Sequence, residues 1–300
     1  MVICVSRVCR VLLALTLSLL AAPTVAGPLR FAWPAPAQAL VTVEASKAGR
    51  IMGSSLTLKV SRDAEGLTRL DFADARLLTV DGRDLPPGEE HAFGPLAAAM
   101  PSLLIGKDGR VQEVLGLGRL AEALVADSPE AKRADLRRAL ASPKLRAELE
   151  AKAGEDWNGW VGVWLGREVP AGGRLALTAT TKVLGDQVQS RGSITDLGRV
   201  EGDPAGAVRL RLELTADGPD LARAVFGALE RIARDSGQPL GDLGLDRVET
   251  AARRDFVVLV ADRSTLRPYR VETGTESVFK LRGEGAQRQS ETKSFRFDWR

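Results

Sequence analysis

Residues 39–60 read ALVTVEASKAGRIMGSSLTLKV, and their period decides the fold. Val41, Val43 and Ala45 alternate with Thr42, Glu44 and Ser46, while Leu56, Leu58 and Val60 alternate with Ser55, Thr57 and Lys59. Successive side chains on a strand point to opposite faces, so each run makes one apolar face and one wet face. Leu70 and Phe72 continue the theme. Turn chemistry joins the runs at residues 63–66, at Asp81-Gly82 and at Lys107-Asp108-Gly109-Arg110. The last of these separates residues 102–105 from 111–114, and its Asp-Gly supplies the positive φ of a tight hairpin. Residues 39–114 are therefore expected to form antiparallel neighbours.

The period then changes. Leu117, Leu120, Ala121, Leu124 and Val125 recur at helical spacing. Ser128-Pro129 and Ser142-Pro143 each place an N-cap oxygen before a proline at the first helical position, which predicts three helices in series. The third stretch continues through residues 155–165 until Pro170, Gly172 and Gly173 stop it, giving a helical insert over residues 117–166. Residues 173–299 return to strands at 175–183, 188–194 and 208–214. One helix interrupts them at 219–236, with Asp217 as N-cap and Gly237 as C-cap. Its apolar side carries Leu221, Val225, Phe226, Leu229 and Ile232. Strands follow at 256–260, 269–273 and 277–281, and a last one places Phe295, Phe297 and Trp299 opposite Arg296 and Asp298. Strands, helices, strands, helix, strands is the order of an α+β fold rather than of alternating βαβ units. The expected architecture is one large curved antiparallel β-sheet with helices packed on its concave face, a single domain over residues 39–300 preceded by an N-terminal extension at 27–38.

Residues 1–26 carry Arg7 and Arg10, an apolar run from Val11 to Leu20 and the small residues Thr24 and Ala26. That is the pattern of a secretory signal cleaved before Gly27, with an apolar core shorter than the ~20 residues a membrane-spanning helix needs. The expectation is an exported chain, periplasmic or secreted, that does not span a membrane. Both cysteines, Cys4 and Cys9, lie in that signal, so the processed chain has no thiol for a disulfide, a metal or a nucleophile. Of the net charge of +3, Arg7 and Arg10 supply two, and the rest of the chain is nearly balanced. The densest basic run, Lys132 to Arg138, is interrupted by Asp135 and reads as a solvated helix face, so no nucleic-acid partner is expected.

Catalytic patterns are thin. His91, the one histidine, has no second histidine or cysteine to complete a zinc site, and no G-x-S-x-G elbow is present. Ser277 to Lys280 and Ser290 to Lys293 match S-x-x-K, but in strands, where positions three apart face opposite sides. Acidic pairs such as Asp71 and Asp74, Asp81 and Asp84 or Asp242 and Asp246 are plentiful, and most of them sit next to glycine, where backbone capping explains them. Calcium loops, phosphate loops and dinucleotide fingerprints are missing. The reading is of a protein that is not an enzyme and uses no cofactor.

The most pointed feature is Asp156-Trp157-Asn158-Gly159-Trp160-Val161-Gly162-Val163-Trp164-Leu165, which holds three of the five tryptophans. At helical spacing Trp157, Trp160 and Trp164 share a face. They serve either as core packed against the sheet or as an aromatic wall for an apolar ligand or a membrane-interface contact, since indole joins a large apolar body to a polar edge.

At residues 262–268, Asp-Arg-Ser-Thr-Leu-Arg-Pro, a strand ends, turns and re-enters a strand. This D-x-x-T-x-x-P hairpin, with the strands around it over residues 256–299, resembles the lipoprotein-carrier superfamily of bacterial envelope proteins. The resemblance implies a curved antiparallel sheet wrapped around helices, with an apolar cavity for acyl chains. A secreted family of unknown function built on similar strands fits as well. The functional expectation is an envelope protein that binds or carries a lipid or other apolar ligand. Trp157, Trp160, Trp164, Phe226 and Leu229 are then expected to line the cavity. The alternative is a structural or protein-interaction module that meets an envelope partner through a sheet edge or apolar patch.

Overall fold

The computed structural model describes residues 27–86, 89, 94–199, 201–237 and 244–300. The signal reading over 1–26 and His91 lie outside the described residues. The first half contains β1 (Ala37–Lys47), β2 (Arg50–Arg62), β3 (Thr68–Val80), a two-residue β4 (Arg83–Asp84), α1 (Gly94–Ala98), β5 (Ser102–Ile105) and β6 (Val111–Leu115). Helices α2 (Leu117–Asp127), α3 (Glu130–Leu140), α4 (Pro143–Ala153) and α5 (Glu155–Trp160) follow. Then come β7 (Arg174–Val183), β8 (Asp186–Asp196), β9 (Ala207–Asp217), α6 (Gly218–Ser236), β10 (Val248–Asp262), β11 (Pro268–Leu281) and β12 (Gln287–Trp299).

All strands join one curved antiparallel sheet in the order β6-β5-β3-β2-β1-β12-β11-β10-β9-β8-β7, with β4 on β3. The path explains the α+β segregation read from the sequence. The chain starts at the centre and winds outward to β6. Residues 116–173 carry it to the far edge, and it winds inward from β7 until β12 pairs with β1 over Ala39↔Trp299 to Lys47↔Glu291.

One face of this sheet is apolar near the ends of the strands where Ala39 and Trp299 meet. Ala39, Val41, Leu58, Leu70, Leu103, Leu210, Leu259, Val271, Phe295 and Phe297 are all buried there. The segment expected as an N-terminal extension belongs to this core. Leu29, Phe31 and Trp33 are buried in alternation, and Trp33 Nε1 donates to Leu266 O at 3.0 Å. Two glycines let strands approach where no side chain fits. A Cβ on Gly192 would overlap the Glu213 carbonyl, and one on Gly274 would overlap the Phe256 ring lying across it. Gly274 therefore sits inside β11, where the sequence pattern had put a break between two strands.

The helical insert differs from its expectation in two ways. Ser142 stands at the N-cap of α4 with Pro143 behind it, but its side chain makes no cap bond, and Ser128 turns back to donate to Leu124 O of α2. The third helix also breaks at Gly154: α5 ends at Trp160, and Trp164 sits on a separate 3-10 turn, Gly162–Trp164. The three tryptophans thus do not form one regular helical stripe. Trp157, Trp160 and Trp164 are 1%, 2% and 0% exposed. Trp157 packs edge-on to Trp33 and Phe31 with centroids 5.2 and 5.3 Å away, and Trp160 meets Phe295 and Phe297 at 5.3 and 5.1 Å. Trp157 Nε1 donates to Gly109 O at 2.9 Å and Trp164 Nε1 to Gly159 O at 3.0 Å, whereas the buried Trp160 Nε1 has no partner among the described residues. These side chains clamp the insert to the sheet, each stabilising it by about 2–3 kcal/mol.

The 262–268 hairpin closes β10 onto β11. Asp262 Oδ1 accepts from Ser264 N at 2.8 Å and Thr265 N at 3.1 Å, the geometry that Asp and Thr favour in such turns. Partial burial pushes the Asp262 carboxyl up, and the hydrogen bonds from Ser264 and Thr265 more than offset this, leaving it below the ordinary aspartate range.

Two stability measurements follow from these contacts. Trp157→Phe removes a buried hydrogen bond and leaves the Gly109 carbonyl without its indole donor, whereas Trp160→Phe removes an N–H that has no partner. Urea unfolding should place Trp157→Phe about 1 kcal/mol below Trp160→Phe; the reverse order would contradict the packing described. The lowered Asp262 carboxyl stabilises the fold above the unfolded-state pKa, and that gain is lost as pH falls through the lower folded value. Asp262→Asn should therefore be less stable than the parent by about 1 kcal/mol near pH 7, with the gap narrowing as the pH falls below the ordinary aspartate range. A gap that does not change with pH would show that the charge of Asp262 is not involved.

Candidate functional site

The inward-facing positions of the last three strands change character along their length. On β12 they run Trp299, Phe297, Phe295, then Lys293, Glu291, Gln289 and Gln287. The register sets Lys293 beside Thr273, Glu291 beside Thr275, Gln289 beside Ser277 and Gln287 beside Phe279. On β10 the same rows hold Val257, Asp255, Arg253 and Ala251. The aromatic core covers the first part of this surface. The second part is a polar strip with Phe279 and Ala251 at its end.

Helix α6 stands over that strip. Pro219 in its first turn and Gly237 with φ 68° at its end fix its length, and Leu221, Val225, Ala228, Leu229 and Ile232 fall on one face. Leu221 and Ala224 pack with Val183, Val188, Ala216 and Ala251 in a small second core. Beyond them the helix parts from the sheet and leaves a cleft of about 500 Å³. Its wall is the apolar side of α6 from Val225 to Ile232. Its floor is Arg253, Thr275, Ser277, Phe279, Gln287 and Gln289, and Glu155 at the start of α5 and Glu291 on β12 also line it. Ile232 is 64% exposed and Leu184, in the β7–β8 turn, 57%, so both present apolar surface at the rim.

The charges of the floor are matched in place. Arg253 donates to both oxygens of Asp255 at 2.8 Å, and Thr275 Oγ1 donates to the same carboxylate at 2.6 Å. Lys293 bonds Asp156 at 2.6 Å, Lys47 bonds Glu291 at 2.6 Å, and Lys152 pairs with Glu155. The Glu155 carboxylate holds the Lys152 ammonium above its ordinary range. Ser277, Gln287 and Gln289 make no side-chain hydrogen bond among the described residues and are free to meet a polar group. The outer face of the same strands is wet and ionic, with Arg254 between Glu213 and Glu276 at 2.8 and 3.2 Å. Among the described residues no group of His, Cys, Asp and Glu is placed to hold a metal ion.

The structure divides the five residues expected to line one cavity. Leu229 lines the cleft. Phe226 is half-buried on α6, about a quarter-turn from Val225 and off the lining face. Trp157, Trp160 and Trp164 belong to the main core, and Trp157 also borders a depression beside Arg110 and Arg167 that is separate from the cleft. The tryptophans hold the helices down because they fit the aromatic inward positions of β12. The cleft opens further along the same strands, where those positions become polar. Sequence reasoning stopped at the apolar half of the last strand. Reading the same alternation backwards through 293, 291, 289 and 287 would have found the floor.

No family model matches this chain, and no curated protein matches it. Among solved structures, a chain described under lipid–protein interactions in lipovitellin is similar, with a TM-score of 0.46, 8% sequence identity and coverage of 90% of this chain. The present chain spans 26% of that structure's chain.

Proposed function

We propose that this chain is an exported, non-catalytic binding protein whose cleft takes a lipid or similar amphiphile, with its apolar chain along α6 and its polar end on the floor. The observation that carries the reading is the pairing of an apolar helix face with a polar, charge-balanced strip of sheet across one cleft. The volume lies within the roughly 300–1,000 Å³ of small-molecule sites. Each methylene that leaves water to lie against Val225, Leu229 and Phe279 gains about 0.8 kcal/mol, which tightens binding about fourfold per carbon. Ser277, Gln287 and Gln289 offer donors and acceptors to the polar end. Exposed Ile232 and Leu184 give an apolar ligand a place to enter. The lipoprotein-carrier resemblance of residues 256–299 points the same way, and export rests on the pattern of residues 1–26.

Native mass spectrometry of the protein from its exported fraction should show a ligand-bound species whose extra mass disappears on unfolding and is recovered by solvent extraction. Ala228→Trp puts an indole into the cleft from α6 and should weaken binding of a fluorescent acyl probe by about tenfold or more, with circular dichroism and Tm little changed. Trp160→Phe, in the core, should leave probe affinity within about twofold. Equal affinity in the parent and in Ala228→Trp would remove the cleft from consideration.

A further inference from the structure

The sheet has two edges, and they are not alike. Strand β6 is five residues long and runs directly into α2, with its Val111 beside Gly154 at the end of α4. Strand β7 is ten residues long and pairs with β8 in unbroken register from Arg174↔Thr195 to Val183↔Asp186. Among the described residues nothing pairs with its other side, and no backbone group of residues 174–183 bonds to a loop or helix. A bare edge of this length is a template for another strand, and proteins usually blunt one with proline, a bulge or charge. Here residues 175–181, LALTATT, contain no proline, no glycine, no bulge and no charge.

We infer that β7 pairs antiparallel with β7 of a second copy of this chain, about a twofold axis through Ala179, so that two sheets join into one. The side-chain alternation along β7 matches a second copy of itself and sets the axis. Leu175, Leu177, Ala179, Thr181 and Val183 continue the apolar inner face, which must meet the same face of the copy, so the axis passes through a residue. An axis through Thr178 would set Arg174 directly opposite Lys182, a like-charge pair. Axes through Leu177 or Thr180 leave shorter ladders. Through Ala179, Leu175 faces Val183, Leu177 faces Thr181, Ala176 faces Lys182, and the exposed Thr178 and Thr180 face each other across the joint. No charge meets its like, and residues 175–183 all pair. The inference is independent of any ligand in the cleft.

The test uses the full chain with Cys4→Ser and Cys9→Ser, which leaves no other thiol. With Ala179→Cys, the two introduced thiols meet on the axis, and a short bismaleimide should cross-link them. With Ala176→Cys they lie about 20 Å apart, six residues along the ladder, and should not cross-link. Sedimentation over a concentration series should show a monomer–dimer equilibrium. Thr178→Lys with Thr180→Lys should raise its Kd about tenfold by opposing lysines, and Thr178→Glu with Thr180→Lys should restore it. Circular dichroism confirms that each variant is folded. A monomer at every concentration overturns the inference, as does cross-linking that does not distinguish position 179 from 176 or a dimer indifferent to the charge swap.

Discussion

The pairing of β1 with β12 is the contact on which the rest of the structure depends. It joins the first and last described strands at the centre of the sheet, so neither strand-rich half has a free inner edge. It also fixes the route of everything between. The first half can only grow outward to β6 and the second only inward from β7. Residues 116–173 must cover the distance between opposite edges, and an apolar sheet face gives them a reason to lie against it. The tryptophans hold that crossing in place. Trp157 and Trp160 reach Trp33, Phe295 and Phe297, residues supplied by the segment before β1 and by β12. The strand pairing and the helical crossing therefore share one aromatic joint.

The same constraint explains why a cleft exists. Helices cover apolar surface readily, but covering Arg253, Asp255, Lys293 and Glu291 would strip water from charges whose pairs recover little of that cost when buried. The aromatic contact of the insert stops where the inward positions turn polar, at Asp156 bonded to Lys293. Helix α6 approaches from the other side, and its fully buried side chains, Leu221 and Ala224, lie near its start. What remains between α5 and α6 is a space with a polar floor that neither helix can close. The opening is thus a consequence of side-chain chemistry on three strands rather than of imperfect packing.

Much of this was legible in the sequence, where period alone was informative. The alternation of Val41, Val43, Leu56 and Leu58, the Asp108-Gly109 turn and the segregation of strands from helices give the antiparallel α+β sheet directly. Local signals were less dependable where tertiary contacts outweighed them. Gly274 looked like a strand break because nothing nearby announces that Phe256 lies across it. The stripe of Trp157, Trp160 and Trp164 looked like one helical face because Gly154 and the turn after Trp160 are set by packing, not propensity. Leu29, Phe31 and Trp33 were overlooked although their alternation was visible, since a short segment before the first strand carries no sign of what it will meet. The site was hidden for a related reason. Its wall and its floor lie on α6 and β10–β12, and only the register between strands puts Gln289 beside Ser277 and Arg253 in the same row.

The cleft and the bare edge converge at the β7–β8 turn. Val183 closes the ladder of β7 and also lines the cleft, and Leu184 beside it is at once rim and turn. Arg231 of α6 secures this corner by donating to Leu184 O and, at 3.1 Å, to Asp186. A second copy along β7 would set its own Leu175 against Val183 and shelter apolar surface that is exposed in the single chain. A ligand under α6 would press on the same corner from the other side. Val183 and Leu184, with their Arg231 anchor, are where the cleft and the edge of β7 share side chains, so an energetic link between the two events would act on this corner.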